Sequence, residues 1–281
     1  MEIPTLVESI DGSLSPDLHN RQGLMKIRLI PSNTDGNPVL QYLTSLLIDQ
    51  SLLIDAGSAG FTSTIFSLRK LKNIFISHAH MDHVASLPSL LEAYLANRLP
   101  PPTIWTSAET LQSLKLHLFN NELWPDFFSL GSKEHPWLNV RESSDFIPIE
   151  LDGFRVIPIP VNHVIKTQGY LIESSEATIL ISSDTGPSHS IWEIANQQKR
   201  LDAIILEVAF PKRLQGMADL SRHLTPKTFG LELAKLENHN PAILAVHLKP
   251  LMRSTIINEL HKMNLERLVV MRSDHEYCYP S

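Results

Sequence analysis

Residues 73–84, NIFISHAHMDHV, decide the fold expected for this chain. The apolar run at the start of this stretch is typical of a strand, and a helix is predicted to follow it. A strand that ends in His78 and His80 places both imidazoles on one side of the pleat, because side-chain direction repeats every second residue. The turn into the helix then brings Asp82 and His83 in from another direction. Ligands from two directions suit two adjacent metal ions better than one.

A simpler interpretation of the same residues also exists. Asp82 fits the N-cap position of the following helix, where aspartate is favoured. A single histidine is more often a surface residue or a satisfied core residue than a metal ligand. Four such groups packed into residues 78–83, at a junction between a strand and a helix, favour the metal interpretation.

The bulk properties of the chain bound its class. It has 281 residues, of which 43% are hydrophobic, and this is enough for one large domain or two small ones. Its formal net charge is −6, and its lysines and arginines are scattered, which disfavours long polyanions as substrates. The chain also has 13 histidines, which makes a metal site a reasonable expectation.

The signals for cellular location are few. No apolar run reaches the roughly 18 residues of a membrane span. The segment Met1–Leu18 lacks the basic start and the apolar core of a secretory signal. Cys278 is the only cysteine, so an internal disulfide cannot form, and this fits a reducing compartment. We therefore expect a cytoplasmic protein that does not bind membranes.

The hydrophobic pattern predicts alternating strands and helices. Residues 1–24 are predicted to be an N-terminal extension to one domain at 25–281, and 120–145 to be an irregular segment that forms one wall of a pocket. Since strands lead each half of the chain, we expect an α/β fold with two sheets packed together and helices outside. The predicted strands are 25–31, 42–48, 52–54, 73–76, 103–105, 154–161, 169–173, 178–182, 203–206, 243–246 and 268–271, and the predicted helices are 61–71, 84–98, 107–119, 188–199, 226–238 and 254–263.

Three later strands end in polar residues that are able to bind a metal. His163, Asp184 and His247 each follow one of these predicted strands. Taken singly, each histidine would be an ordinary loop residue and Asp184 an ordinary turn residue. Binding groups of α/β proteins lie at the carboxyl ends of strands, however, and the shared placement of these three residues favours a common site.

Together, these residues resemble the ligand set of the metallo-β-lactamase superfamily. Asp55, in the run LIDAG at 53–57, matches the aspartate that supports the ligand loops in that superfamily. Three segments narrow the resemblance to the class II 3′,5′-cyclic-nucleotide phosphodiesterases: SDTGP at 183–187, RHLTP at 222–226 and VHLKP at 246–250. Met81 stands where that family usually has leucine.

The resemblance implies a metallo-β-lactamase-like αββα sandwich of two mixed β-sheets and a site for two divalent metal ions. Zinc is expected, with manganese and iron as alternatives. Asp184 would bridge the two ions, and a hydroxide held between them would attack phosphorus. The implied ligands are His78, His80 and His163 for one ion and Asp82, His83 and His247 for the other.

A second resemblance concerns the protonation of the leaving group. Glu207 and His223 resemble the Glu and His catalytic pair of ribonuclease Z, although the long arm with which that enzyme holds transfer RNA has no evident counterpart here. His223 is the candidate general acid, because its unperturbed pKa lies near neutrality. Glu207 would hold and charge its imidazole, and Asp82 is assigned to the catalytic group as well as to the ligands. The alternative is a structural pair in which His223 binds a backbone carbonyl.

Four functions remain open on these grounds. The first is a hydrolase that opens 3′,5′-cyclic nucleotides (cyclic AMP, cyclic GMP or both) to 5′-nucleotides. The second is a ribonuclease Z-type endonuclease, against which the acidic charge counts. The third is a thioester or lactone hydrolase, and the fourth is a scaffold without activity, which usually loses ligands. The expected partner is a small molecule rather than a nucleic acid, and the sequence leaves a homodimer open.

Overall fold

Two sheets packed face to face form the centre of the molecule. The computed structural model describes residues 23–32, 37–61 and 69–280. An apolar cluster between the sheets contains side chains from both, among them Ile27 and Phe75 from one and Tyr170 and Ile205 from the other. Most of the predicted N-terminal extension, at 1–22, and most of the predicted helix 61–71, at 62–68, lie outside the described residues.

Among the described residues, the first sheet has seven strands in the order β14-β1-β2-β3-β4-β5-β6. Pairing is antiparallel from β14 through β3 and parallel from β3 through β6. Its strands are β1 (Met25–Leu29), β2 (Leu46–Ile48), β3 (Leu52–Ile54), β4 (Asn73–Ile76), β5 (Thr103–Thr106), β6 (Val140–Glu142) and β14 (Glu276–Tyr279).

The second sheet also has seven strands within the described part of the chain, in the order β13-β12-β11-β10-β9-β8-β7. Pairing is antiparallel from β7 to β10 and parallel from β10 to β13, so this sheet is mixed as well. Its strands are β7 (Ile149–Leu151), β8 (Phe154–Pro160), β9 (Gln168–Glu173), β10 (Thr178–Ile181), β11 (Ala203–Glu207), β12 (Ala242–Val246) and β13 (Leu268–Val270).

Helices cover the outer faces of both sheets. Apolar side chains of α2 and α3 pack on the first sheet, and those of α4, α6 and α7 pack on the second. The arrangement confirms the predicted αββα sandwich. No described helix is both long and apolar enough to cross a bilayer. The helices are α1 (Met81–Val84), α2 (Leu87–Ala96), α3 (Ala108–His117), α4 (Ser190–Asn196), α5 (Gln215–Ser221), α6 (Pro226–Leu233) and α7 (Arg253–His261).

The helix predicted at 84–98 begins earlier and is interrupted. The first segment, α1, starts at Met81, so that Asp82 lies in its first turn rather than at its N-cap. The interruption has a physical cause in the neighbouring loops. The Ser86 amide donates to the Ala56 carbonyl (3.1 Å), while the Asp82 carbonyl accepts from the Thr44 amide (2.8 Å). The hydrogen bond that would continue the helix from 82 to 86 is therefore replaced by two bonds to other loops.

The segment 120–145 is more ordered than predicted. Its large side chains join the apolar cluster on the outer face of the first sheet, and β6 adds a strand to that sheet's edge. Residues 142–145 do line a cavity of about 180 Å³. Aromatic residues cause this order, because their burial is worth more than the entropy that a loop retains. The packed side chains are Trp124, Phe127, Phe128, Leu130, Trp137 and Leu138.

Strands β7 and β14 and helix α5 were not predicted. Strand β14 pairs antiparallel with β1, in a register that sets Tyr279 opposite Met25. Cys278 therefore lies in a strand of the first sheet rather than in a loose tail, and it is partly exposed. These elements are three to seven residues long, and hydrophobic periodicity is weak over such lengths.

Gly57 allows the loop after β3 to lie against α1, and we expect Gly57→Ala to destabilise the fold. A Cβ there would come within 2.1 Å of the Asp82 carbonyl oxygen and 2.8 Å of the Thr44 backbone. Neither backbone group can yield cheaply, so the expected loss is at least about 2 kcal/mol in the free energy of unfolding, measured by urea denaturation. The control is Gly216→Ala in α5, where a Cβ meets nothing within 4 Å. Equal urea midpoints for Gly57→Ala and the wild-type protein would contradict this account.

Candidate metal centre

Loops at the carboxyl ends of strands from both sheets meet at one edge of the sandwich. His78 and His80 follow β4 of the first sheet, and α1 supplies Asp82 and His83. The second sheet supplies the remaining predicted ligands. His163 follows β8, Asp184 follows β10 and His247 follows β12. The structure thus brings all seven sequence-predicted ligands together.

The first group of ligands consists of three imidazoles and one carboxylate. Its candidate ligand atoms all lie within 4.8 Å of one another. His80 Nδ1 is 3.0 Å from His78 Nε2 and 3.2 Å from His163 Nε2. Asp184 Oδ2 lies 3.8 Å from His78 Nε2. Three nitrogens and one oxygen at this spacing are the donor set of a four-coordinate site.

The second group shares Asp184 with the first. Asp82, His83, Asp184 and His247 again have candidate ligand atoms within 4.8 Å of one another. His247 Nε2 lies 3.1 Å from Asp82 Oδ2, and His83 Nε2 lies 3.3 Å from Asp184 Oδ2. The other oxygen of Asp184 is 3.5 Å from His247 Nδ1. Asp184 therefore belongs to both groups of candidate ligands.

Two ring nitrogens support the fit of metal ions to these groups. Within the part of the chain that the structure describes, His83 Nε2 and His247 Nδ1 are buried and have no hydrogen-bond partner. A buried polar atom without a partner costs free energy, and a metal ion would satisfy both nitrogens. The nitrogen and oxygen donors suit zinc, manganese or iron.

Asp55 orients two of the candidate ligands through hydrogen bonds. Its Oδ2 lies 2.6 Å from His83 Nδ1, and its two oxygens accept hydrogen bonds from the Ser77 amide and hydroxyl, each at 2.8 Å. The Ser77 hydroxyl is also 2.9 Å from His78 Nδ1. A hydrogen bond to one ring nitrogen sets the tautomer and aims the other nitrogen at the site. Asp55 was expected in this role, whereas Ser77 was not.

Arg222 is a second residue at the metal centre that was not predicted as a site residue. Its carbonyl lies 3.1 Å from His163 Nδ1, and its guanidinium donates to the His163 carbonyl at 2.6 Å. The loop that carries His223 is thereby tied to a ligand from another strand. In the sequence, Arg222 was marked only by its position beside His223 and by its place in the quoted segment RHLTP.

Several site residues have left-handed backbone conformations. Their φ angles are 60° at Asp55, 52° at Ser183, 52° at Arg222 and 63° at His247. Non-glycine residues rarely adopt positive φ, and such strain concentrates at functional sites, where the surrounding structure enforces it. Here the strained turns aim neighbouring side chains into one cluster.

The carboxylates of the cluster are held ionised. Burial alone would raise the pKa of Asp184, but the imidazoles of His247 and His83 outweigh it and hold that pKa well below its usual value. Burial likewise would raise the pKa of Asp82, and the hydrogen bond from His247 and the charge of His83 lower it instead. Burial lowers the pKa of His163 to about 4. The ionised carboxylates of Asp82 and Asp184 and the neutral imidazole of His163 are forms that bind metals.

Glu207 and His223 form a buried pair beside the cluster. Glu207 Oε1 lies 2.7 Å from His223 Nδ1, and the opposite ring nitrogen, Nε2, is 4.0 Å from Asp184 Oδ2. Burial and, to a smaller extent, the charge of Lys249 would lower the pKa of His223, but the carboxylates of Glu207 and Asp184 together outweigh them and raise it above its usual value. The raised pKa favours the protonated imidazole, and its Nε2 faces the ligand cluster. The partner of His223 Nδ1 is a carboxylate and not a backbone carbonyl.

Geometry alone also allows Glu207 and His223 to be metal ligands. Candidate ligand atoms of Glu207, His223 and His247 also lie within 4.8 Å of one another. Lys249 lies nearby, with Nζ 3.5 Å from Asp82 Oδ2. Lys249 was not singled out from the sequence, although it stands only two residues beyond His247 and within the quoted segment VHLKP.

Comparison with solved structures places this fold among known ones. Unliganded yeast PDE1 superposes with a TM-score of 0.74 at 17% identity, over 91% of this chain and 99% of that one. The metallo-β-lactamase fold protein YhfI from Bacillus subtilis gives a TM-score of 0.69 at 18% identity, over 91% and 99% of the two chains. The metallo-β-lactamase fold is therefore confirmed.

Comparison of sequences identifies the family. A relative in Yersinia pestis, named "Probable 3′,5′-cyclic-nucleotide phosphodiesterase", is 26% identical over 260 residues, which is 80% of this chain and 73% of the relative. A ribonuclease Z from Archaeoglobus fulgidus is 30% identical over 129 residues, covering 44% of this chain and 38% of that enzyme. The model of the class-II cAMP phosphodiesterases matches residues 40–267, most of the chain. The resemblance is thus confirmed, and the chain belongs to the class-II cAMP phosphodiesterases, a family of hydrolytic enzymes.

Proposed function

We propose that this protein opens 3′,5′-cyclic nucleotides to 5′-nucleotides at a site for two divalent metal ions, expected to be zinc. The observation that carries the proposal is the buried Glu207–His223 pair, in which Glu207 holds Nδ1 of the imidazole and the other ring nitrogen faces the ligand cluster. The family and the name of the Yersinia pestis relative support the substrate class. We also propose that residues 25–281 act as one domain and that residues 1–24 are an extension to it.

The pair matters because the leaving group is poor. Opening the ring to a 5′-nucleotide breaks the bond between phosphorus and the ribose 3′ oxygen. That oxygen leaves as an alkoxide unless it receives a proton, and general acid catalysis typically contributes a factor of roughly 10² to 10⁴. Thioester and lactone hydrolysis need less help of this kind, so the pair favours a phosphodiesterase.

The ligands and the acid have separate roles in the proposed reaction. One cation would be held by His78, His80 and His163, and the other by Asp82, His83 and His247. Asp184 would contact both cations. When bound, the two cations supply a deprotonated water near neutral pH and neutralise charge on the phosphoryl oxygens.

His223 completes the proposed reaction by proton transfer. As the water oxygen forms its bond to phosphorus and the bond to the 3′ oxygen breaks, His223 Nε2 gives its proton to that oxygen. Glu207 keeps the imidazole charged until this transfer and oriented throughout. The products are a 5′-monophosphate with a free 3′ hydroxyl and a neutral His223.

One assay tests this proposal against its nearest rival. Purified protein reconstituted with zinc, manganese or iron should convert at least one of cyclic AMP and cyclic GMP to its 5′-nucleotide. Chelation should abolish this turnover. Cleavage of a precursor transfer RNA, with no turnover of either cyclic nucleotide, would favour a ribonuclease Z-type endonuclease instead.

The salt dependence of KM should report the size of the substrate. A cyclic nucleotide brings one negative charge, so its KM should change only a few-fold between roughly 50 and 200 mM salt. A substrate held through six to ten phosphates would lose roughly 10³- to 10⁵-fold in affinity over the same range. The formal net charge of −6 makes the larger response unexpected here. Steady-state kinetics at several salt concentrations measure the difference, and a steep rise in KM would contradict the small-substrate proposal.

A further inference from the structure

Lys249 is a cation at the edge of the metal centre to which the reaction above gives no role. Its Nζ lies 3.5 Å from Asp82 Oδ2, the oxygen that His247 Nε2 approaches at 3.1 Å. Its side chain is 36% exposed and that of Asp82 is 27% exposed. The ammonium group therefore stands where the ligand cluster opens to solvent.

The backbone of Lys249 is fixed relative to the acid His223. The Lys249 amide donates to the Ala209 carbonyl (3.3 Å), and the Ala209 amide donates to the Leu224 carbonyl (3.0 Å). Leu224 directly follows His223. Two backbone hydrogen bonds thus connect the loop of Lys249 to the loop of the acid. The backbone of Lys249 is therefore held in place, while its long side chain leaves the ammonium group able to meet a bound anion.

The contact with Asp82 leaves most of the donor capacity of Lys249 unused. An ammonium group carries three donor hydrogens. Within the described residues, Asp82 is the one side chain that Lys249 pairs with, at the long end of hydrogen-bonding distance. A cation bound to Asp82 would neutralise that carboxylate, and the attraction between it and Lys249 would weaken. The ammonium group would then be available to an anionic ligand.

We propose that Lys249 binds a non-bridging phosphoryl oxygen of the substrate, on the side of the site between Asp82 and His223. This inference deepens the proposed function and rests on it for the identity of the substrate. Lys249 keeps its proton throughout and takes part in no bond change.

The charge on the phosphoryl group explains why a fixed cation helps there. The substrate phosphodiester carries one negative charge, and the attacking oxygen adds negative charge that spreads over the non-bridging oxygens. A cation already in place stabilises this added charge more than the ground state. Lys249 should therefore act on kcat and on the binding of a phosphate dianion, which resembles the more highly charged form.

The test compares Lys249→Gln with Lys249→Arg and with Lys262→Gln. Lys262 lies exposed at the end of α7, so its substitution removes the same charge away from the site. Three quantities are measured on metal-loaded protein: metal content by elemental analysis, kinetics with bis(4-nitrophenyl) phosphate and cyclic AMP, and binding of inorganic phosphate by calorimetry.

The expected results separate phosphate binding from support of Asp82. Lys249→Gln should keep its metal content, lose about 10- to 100-fold in kcat/KM and bind inorganic phosphate about tenfold more weakly. Lys249→Arg should recover most of both losses, and Lys262→Gln should match the wild-type protein. Loss of metal from Lys249→Gln would show that Lys249 only holds Asp82, and unchanged phosphate affinity would also overturn the inference.

The same measurements distinguish this inference from the proposed function. If the wild-type protein turns over no cyclic nucleotide but Lys249→Gln still weakens phosphate binding, the proposed substrate is wrong and the role of Lys249 stands. If the wild-type protein opens cyclic nucleotides, and Lys249→Gln binds phosphate as tightly as the wild-type protein, then the role of Lys249 is wrong and the proposed function stands.

Discussion

Replacing Asp184 with alanine is expected to remove bound metal and catalytic activity together. Asp184 is 2% exposed and belongs to both candidate ligand groups, with one oxygen 3.3 Å from His83 and the other 3.5 Å from His247. No other residue in the described part of the chain belongs to both four-residue groups. Metal ions contribute several kcal/mol to such reactions, so turnover should fall by at least roughly 10³-fold.

Elemental analysis and steady-state kinetics on the same preparation check this expectation. Asp202→Asn is the matched control, because Asp202 precedes β11 and accepts a hydrogen bond from the Thr178 amide at 2.9 Å, at the opposite end of the strands from the metal centre. It should keep both metal and activity. An Asp184→Ala protein that retained two ions per chain would show that the bridging role is wrong.

Replacing His223 with alanine is expected to spare the metal and slow the reaction. The imidazole pairs with Glu207 at 2.7 Å and points its other nitrogen at the cluster, where it would protonate the leaving oxygen. With cyclic AMP, kcat should fall by roughly 10²- to 10⁴-fold, the usual contribution of a general acid. With a nitrophenyl phosphodiester, which needs no proton on its leaving group, the loss should shrink to less than about tenfold.

Two further variants sharpen this expectation. Glu207→Gln should also slow the opening of cyclic nucleotides without removing metal, since its proposed role is to orient and charge His223. His261→Ala changes an exposed histidine on α7 and should leave the kinetics unchanged. If His223→Ala loses metal, then His223 acts as a ligand, in the third group that it forms with Glu207 and His247.

Local spacing predicted the part of the site that lies within one loop. The apolar run at 73–76 forms β4 as predicted, but the strand was also expected to reach His80, and it ends at Ile76. The loop after β4 and the first turn of α1, rather than a pleat, gather His78, His80, Asp82 and His83. The start of the helix was predicted incorrectly at Val84, because hydrogen bonds from Thr44 and to Ala56 come from another part of the chain. Sequence periodicity carries no information about such partners.

The orienting residues were harder to predict than the ligands. Ser77 contacts Asp55 and His78 through one small hydroxyl, and Arg222 acts partly through its backbone carbonyl. Serine and a backbone carbonyl occur throughout any protein, so only their positions in space distinguish these two. Lys249 is a similar case, since an exposed lysine after a strand is ordinary until Asp82 is found beside it.

The sequence by itself determined the α/β class, most of the strands and the residue types of the metal cluster. These follow from backbone geometry, which makes side-chain direction periodic over a few residues. The tertiary structure decided that β14 closes the first sheet beside β1. It also decided that His163 and Asp184 of the second sheet meet His78, and that His247 meets His83. Which strands lie side by side depends on burying apolar faces that are far apart in the chain. That free energy belongs to the whole sandwich and to no single stretch of sequence.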